Sequence, residues 1–281
     1  MIEFHSLQER AQAEGVGLSL VLKEHLHLLI LEYLFKQGAF SHLVFQGGTA
    51  LRLVYGGVRY SEDLDFVLKD KNTPFFGRLE KVLAGLPSFL EKYVLFALKI
   101  DLRLQKKTPS FQRFSLHVGA KEFRAVDKTN FEIVNVPSYE NEAVLVRHPG
   151  LPGMTPAVRV ESRREILSDK FCAFGSREYV KGRDIWDIYF LRHTLKVPFD
   201  RPARDMVAKK VKDYGLAPAE FLKGLKKNLL ILRERGMEIF ELEMSRFLPP
   251  SYQTAFREKY ASMVGTVLEE LEGFHEALEK G

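Results

Sequence analysis

Between His42 and Leu68 the chain runs through a short apolar segment, the pair Gly47-Gly48, a helical stretch at Ala50 to Val54, a turn at Gly56-Gly57 and a second apolar segment from Asp63. This is a β, turn, α, turn, β unit, and it constrains the fold more than any other part of the sequence. On a strand, residues two apart share a face, so Asp63 and Asp65 project together while Leu64, Phe66 and Leu68 take the opposite, core-facing side. Like charges held that close repel unless a cation lies between them or they share a proton. A metal ion is the simplest resolution, and hard oxygen ligands of this kind suit Mg²⁺ or Mn²⁺.

The glycines supply the complementary chemistry. Gly47-Gly48-Thr49 at a strand end lets backbone approach a phosphate, with N–H groups, the start of a helix and the Thr49 hydroxyl facing the anion. Arg59 and Ser61, just before the second strand, can reach the same phosphates or simply complete the loop. Each motif alone is common, and a glycine pair is more often a plain turn. Their order and spacing carry the signal.

The remaining pattern is α+β. Leu18 to Leu34 recur at helical intervals with a break at Gly15 to Gly17, predicting N-terminal helices. Helical material from Phe75 to Tyr93 is interrupted by Pro87, and strands are expected at Val94 to Leu104, Phe114 to Val118 and Phe131 to Val136. The segment His148 to Pro156, rich in proline and glycine, places a boundary between a first unit, 1–153, and a helical second unit, 154–281. In the latter, helices are expected at Arg163 to Ser176 and Asp184 to His193, then nearly to the end with a break at Leu248-Pro249-Pro250.

Composition excludes several classes. At 281 residues with 46% hydrophobic and 28% charged side chains, the chain can bury a sizeable core. Its apolar runs are too short to span a membrane and its first residues lack a signal peptide's character, so a cytoplasmic location is expected. The single cysteine, Cys172, rules out an internal disulfide and a cysteine-rich zinc site, and its apolar neighbours mark it as a buried hydrophobe. A net charge of +5 leans toward polyanionic partners. The histidines show no paired metal spacing, and neither GxxxxGK[ST] nor GxGxxG occurs.

The run Gly47-Gly48-Thr49-Ala50-Leu51 followed by Arg59-Tyr60-Ser61-Glu62-Asp63-Leu64-Asp65-Phe66 resembles nucleotidyltransferases of the DNA polymerase β type. More narrowly, it is similar to the AbiEii/AbiGii toxin family, nucleotidyltransferases of bacterial toxin–antitoxin systems. The resemblance is strong over Phe45 to Phe66, good over Glu165 to Tyr189, and slight over the C-terminal hundred residues. It implies a polymerase β-type core of mixed sheet and flanking helices, preceded by helices and followed by an all-α domain that completes the site. It also implies transfer of an NMP from an NTP to an acceptor hydroxyl with release of pyrophosphate, RNA and above all tRNA being the acceptor implied, and a cognate antitoxin as partner. The same core also serves small-molecule and protein hydroxyls. A degenerate, non-catalytic nucleotide- or RNA-binding module would have lost the aspartates or glycines, and both are intact.

The resemblance further implies a third metal carboxylate on a later strand. Glu132, flanked by Phe131 and Ile133, is the choice over Asp101, which has similar flanks. In the helical half it implies that Lys170 faces the triphosphate and that Asp184 and Asp187 organise the site or assist the acceptor. Residue chemistry alone leaves other roles open: Asp184 as a helix cap, Asp187 paired with Arg183 or Lys181, and Arg177 as a salt-bridge partner. Gly175 and Gly182 break the segment into two helices.

Overall fold

The structure, a computed structural model, describes residues 2–120, 127–148, 151 and 153–280. The chain divides into two compact units, Met1–Glu161 and Ser162–Gly281.

The first unit is built on one sheet. Its strands are β1 (Leu43–Gln46), β2 (Asp63–Leu68), β3 (Ala97–Lys107), β4 (Phe111–Ala120), β5 (Asp127–Pro137), β6 (Asn141–Leu145) and β7 (Ala157–Glu161), in the order β3-β4-β5-β2-β1-β7-β6. The pairs β1·β2, β3·β4, β4·β5 and β6·β7 are antiparallel, whereas β2·β5 and β1·β7 are parallel. The unit is thus a mixed sheet with flanking helices, as the α+β reading anticipates.

Its register is set by aromatic residues. Phe45 pairs with Phe66 and Phe114 with Phe131 across neighbouring strands, with ring centroids 5.4 and 5.5 Å apart. All four rings are buried, and burying each contributes roughly 1.5–3 kcal/mol. A one-residue slip of β2 or β5 would expel these rings and send the carboxylates of the opposite face into the core. Burial of phenylalanine therefore fixes where Asp63, Asp65 and Glu132 point.

Helices α1 (Phe4–Glu14) and α2 (Leu18–Lys36) precede the sheet, α1 ending on Gly15 in the left-handed conformation. Helix α2 is buried along nearly its whole length and contacts β5 and β7. Glu24, on α2, ties the helices together: its carboxylate pairs with Arg10 of α1, with Arg52 and with His148. Arg52 belongs to α3 (Gly47–Leu53), and its guanidinium also lies 3.6 Å from the ring centroid of Tyr60. The N-terminal helices thereby anchor the helix that follows the glycine pair.

Between β2 and β3 lie the short helices α4 (Thr73–Gly77), α5 (Leu79–Leu83) and α6 (Leu86–Glu91). Pro87 interrupts the helical run as expected, standing in the first turn of α6.

The unit boundary falls at Glu161/Ser162 rather than after residue 153. The difference is β7, which lies beyond the proline- and glycine-rich segment yet pairs in the sheet between β1 and β6. β6 has a mostly exposed pattern without apolar alternation, and in β7 the alternation is short, Val158 and Val160 flanking Arg159. Within His148 to Pro156, residues 149, 150 and 152 lie outside the described residues.

The second unit is helical: α7 (Arg163–Ser176), α8 (Gly182–Tyr189), α9 (Arg201–Asp213), α10 (Pro218–Phe247), α11 (Pro250–Phe256) and α12 (Tyr260–Lys280). Ser162 caps α7 by accepting from the Glu165 amide at 3.1 Å. After α8 the chain widens into a π-turn at Phe190–Thr194 instead of continuing as α-helix to His193. Trp186 is core, packed against Phe240 and Phe256. Cys172 is buried, and burial pushes its thiol up to about 12, which makes it a poor nucleophile. Among the described residues, no helix is long and apolar enough to cross a membrane.

Candidate active site

The site in the first unit forms where β1 ends. Gly47 has φ +78°, a conformation few side chains tolerate, and starts α3 directly, so the helix begins earlier than the Ala50 expected. A Cβ at Gly47 would stand 2.6 Å from Asp65 Oδ2, and one at Gly48 would stand 2.3 Å from Arg59 Nη2 and 3.2 Å from Ser61 Oγ. The two glycines therefore leave space that a carboxylate and a guanidinium occupy. Arg59 is buried and donates from Nη1 to the Tyr60 carbonyl at 2.7 Å, which aims the rest of its fork at the glycine turn.

Thr49 is placed differently from the expectation of a phosphate donor. It is buried, and its hydroxyl donates to the Asp63 carbonyl. A hydroxyl has one proton to give, so Thr49 ties α3 to the start of β2.

The sheet register brings the carboxylates onto one face. Asp65 lies opposite Glu132 and Asp63 opposite Asn130 in the parallel pair β2·β5, so all four side chains share one face. Asn130 donates to Asp63 Oδ1 at 3.0 Å, holding that carboxylate in orientation. Arg113 of β4 donates to Glu132 Oε1 from Nε at 2.8 Å and approaches it with Nη2 at 2.6 Å. The rival carboxylate, Asp101, stands on the edge strand β3, separated from β2 by β4 and β5, and pairs with Arg103 at 2.6 Å. Geometry therefore joins Glu132, and not Asp101, to the aspartate pair.

The back of the site is held by His27 of α2. Its Nε2 lies 2.8 Å from Thr129 Oγ1 and 3.1 Å from the Glu62 carbonyl, and Thr129 itself donates to that carbonyl at 2.7 Å. With a carbonyl as partner, Nε2 carries the proton. Burial pulls this imidazole down to about 4, against the opposing effects of the Glu62 carbonyl and Asp63. A neutral ring thus pins the residue just before Asp63. Asn130, Arg113, His27 and Thr129 were missed in the sequence. Their partners are on other strands or helices, and strand parity on β4 and β5 was the one signal that could have found the first two.

In the helical unit, the expected residues also come together. Lys170 Nζ lies 3.0 Å from Asp184 Oδ1 and 2.7 Å from Asp187 Oδ2, and Arg177 pairs with the other oxygen of Asp184. Lys170, Asp184 and Asp187 are all buried. Asp184 sits in the first turn of α8 but spends its oxygens on these cations, not on capping amides. Asp187 pairs with Lys170. Lys170 and Arg177 offset the charge of the buried carboxylates in this knot, so each depends on the others for its burial.

The comparisons with known proteins agree with this architecture. The sequence profile of the AbiEii toxin, described as a nucleotidyl transferase of a type IV toxin–antitoxin system, matches residues 29–280. A Helicobacter pylori protein whose crystal structure is described as that of a nucleotidyltransferase superposes with a TM-score of 0.53 at 21% identity, covering 92% of this chain and 96% of its own. JHP933 from Helicobacter pylori superposes with a TM-score of 0.52 at 21% identity, covering 94% and 95%. At that identity the likeness is one of fold. No protein with a curated description matches the chain. The profile match spans nearly the whole sequence, and the chain belongs to the AbiEii nucleotidyl transferase toxin family of type IV toxin–antitoxin systems.

Proposed function

We propose that the first unit transfers an NMP from an NTP to a hydroxyl of RNA, with tRNA the leading acceptor, as the toxin of a cytoplasmic toxin–antitoxin pair. The observation that carries this reading is the alignment of Asp63, Asp65 and Glu132 on one sheet face, with Asp65 seated over Gly47.

These carboxylates fit a divalent cation. Asp63, Asp65 and Glu132 offer hard oxygen donors along one face of the sheet, and the ligand type suits Mg²⁺ or Mn²⁺. Bound there, the cation would offset the triphosphate charge and polarise the phosphorus–oxygen bond that breaks. The chain's own residues do the rest. Backbone N–H groups of Gly47 and Gly48, with Arg59 and Ser61 against them, take the β- and γ-phosphates. Asn130 and His27 keep Asp63 in place. Glu132 accepts the proton of the acceptor hydroxyl as its oxygen bonds to the α-phosphorus and pyrophosphate departs. In the helical unit, Asp184 and Asp187 hold Lys170, for which we retain the phosphate-facing role.

Titration calorimetry with each common NTP and MgCl₂ tests the site. Wild type should bind one or more NTPs, and Asp63→Asn and Glu132→Gln should weaken Mg²⁺-dependent binding by about tenfold or more. Unchanged binding in both variants would refute the assignment.

A further inference from the structure

The face that carries Asp63, Asp65 and Glu132 continues over β5, β4 and β3, and its character changes from acidic to basic. In the row of Asp65 and Glu132, the register adds Arg113 and then Lys106. The next row runs from Asp63 through Asn130 and Ser115 to Arg103, and Lys128 follows one row further along β5. Lys106, Arg103 and Lys128 are exposed, and the Arg113 side chain keeps 41% of its surface. Asp101, paired with Arg103, is the acidic residue among them. Strand and residue spacing make this a grid of about 5 by 7 Å, close enough for neighbouring cations to meet successive phosphates of one strand.

An aromatic ring lies in the grid. Phe111 is two residues before Arg113, hence on the same face, and is partly exposed. The Arg113 guanidinium and the Lys106 ammonium each lie 5.6 Å from its ring centroid. Cations that follow a backbone, with an aromatic ring on which an unstacked base can lie, are how single strands are held without sequence readout. A duplex keeps its bases stacked and offers no ring face to Phe111. An acidic protein would use the cations but leave the ring without a counterpart.

We propose that this face is the track of the acceptor strand: single-stranded RNA lies across β3, β4 and β5, its phosphates on Arg103, Lys106, Arg113 and Lys128 and a base on Phe111, so that its terminal hydroxyl ends beside Glu132. The proposal rests on the RNA-transfer reading and deepens it. It also gives Arg113 a place where the acidic and basic parts of the face join.

The test uses the full chain and a fluorescein-labelled single-stranded oligoribonucleotide with free terminal hydroxyls, followed by anisotropy across a salt series. The triple variant Arg103→Gln, Lys106→Gln, Lys128→Gln should bind at least tenfold more weakly, and its plot of log affinity against log salt should be shallower by about 2, at roughly 0.7 per lost phosphate contact. Phe111→Ala should bind about fivefold or more weakly with the slope unchanged. NTP binding by calorimetry should be the same in all three proteins. RNA affinity unmoved in both variants, while wild type still transfers label from an α-³²P NTP to RNA, would overturn the track and leave the reaction standing. Wild type that neither binds the oligoribonucleotide nor labels any RNA would overturn both. A polyglutamate peptide binding as tightly as the RNA would also overturn the track, by making the face a surface for acidic proteins.

Discussion

Gly47 lies directly beneath Asp65: a Cβ at residue 47 would stand 2.6 Å from Asp65 Oδ2, where φ is already +78°. Gly47→Ala thus faces two penalties. The left-handed backbone costs about 1–2 kcal/mol for a residue with a side chain, and the methyl group displaces a carboxylate of the site. NTP binding measured by calorimetry should weaken at least tenfold, while the far-ultraviolet circular dichroism of the folded protein stays unchanged. Wild-type affinity in this variant would show that Asp65 is free to move without consequence.

Glu24 is the buried carboxylate that joins Arg10, Arg52 and His148. Burial opposes its ionisation, but hydrogen bonds from His148 and Arg52 and the charges of Arg52 and Arg10 hold it well below the usual carboxylate range. Removing it takes the carboxylate from Arg52 and leaves Arg10 with Glu14. Glu24→Ala should cost about 3–5 kcal/mol in urea denaturation, and it should also weaken NTP binding, because Arg52 is part of α3. A loss under 1 kcal/mol would mean the network contributes little.

Two histidines set a pH dependence. Burial pulls both His25 and His27 down to about 4 from an ordinary value of 6.5. Between those values the unfolded chain takes up protons that the folded chain refuses, so stability falls as pH drops from about 6.5 to about 4, by roughly 3 kcal/mol for each ring. Urea midpoints measured across this range should decline, and His27→Asn should flatten the decline. A midpoint independent of pH between 4 and 6.5 would contradict the burial of neutral imidazoles.

Lys170 lies between Asp184 and Asp187. Lys170→Met removes the charge but keeps the stem, taking from the buried carboxylates of Asp184 and Asp187 a cation that pairs with both. A destabilisation of about 3 kcal/mol or more is expected. If Lys170 also faces phosphate, Lys170→Arg should restore stability while NTP affinity stays lowered; recovery of both would limit the residue to holding the two helices together.

Local pattern made part of this protein legible. The alternation of Asp63, Leu64, Asp65 and Phe66 announced a strand with paired carboxylates, and β2 occupies Asp63–Leu68. The glycine pair announced a tight turn, and Gly47 adopts a positive φ. Glu132 could be named because Phe131 and Ile133 mark the buried side of β5. What stayed hidden depends on contacts between distant segments. β7 pairs with β1 across more than a hundred residues of chain, and no local periodicity records that pairing. Thr49 reads as a phosphate donor until the Asp63 carbonyl is found within its reach. Asp184 reads as a helix cap until Lys170 and Arg177 are seen to claim both of its oxygens.

Nucleotidyl transfer is proposed to depend on Asp63 and Asp65. The most direct measurement incubates wild type and Asp65→Ala with total bacterial RNA, MgCl₂ and each α-³²P-labelled NTP in turn, followed by gel separation of RNA and protein. Label in a discrete RNA band is expected with wild type and none with Asp65→Ala. Absence of label from both RNA and protein with wild type, together with no detectable NTP binding, would contradict it.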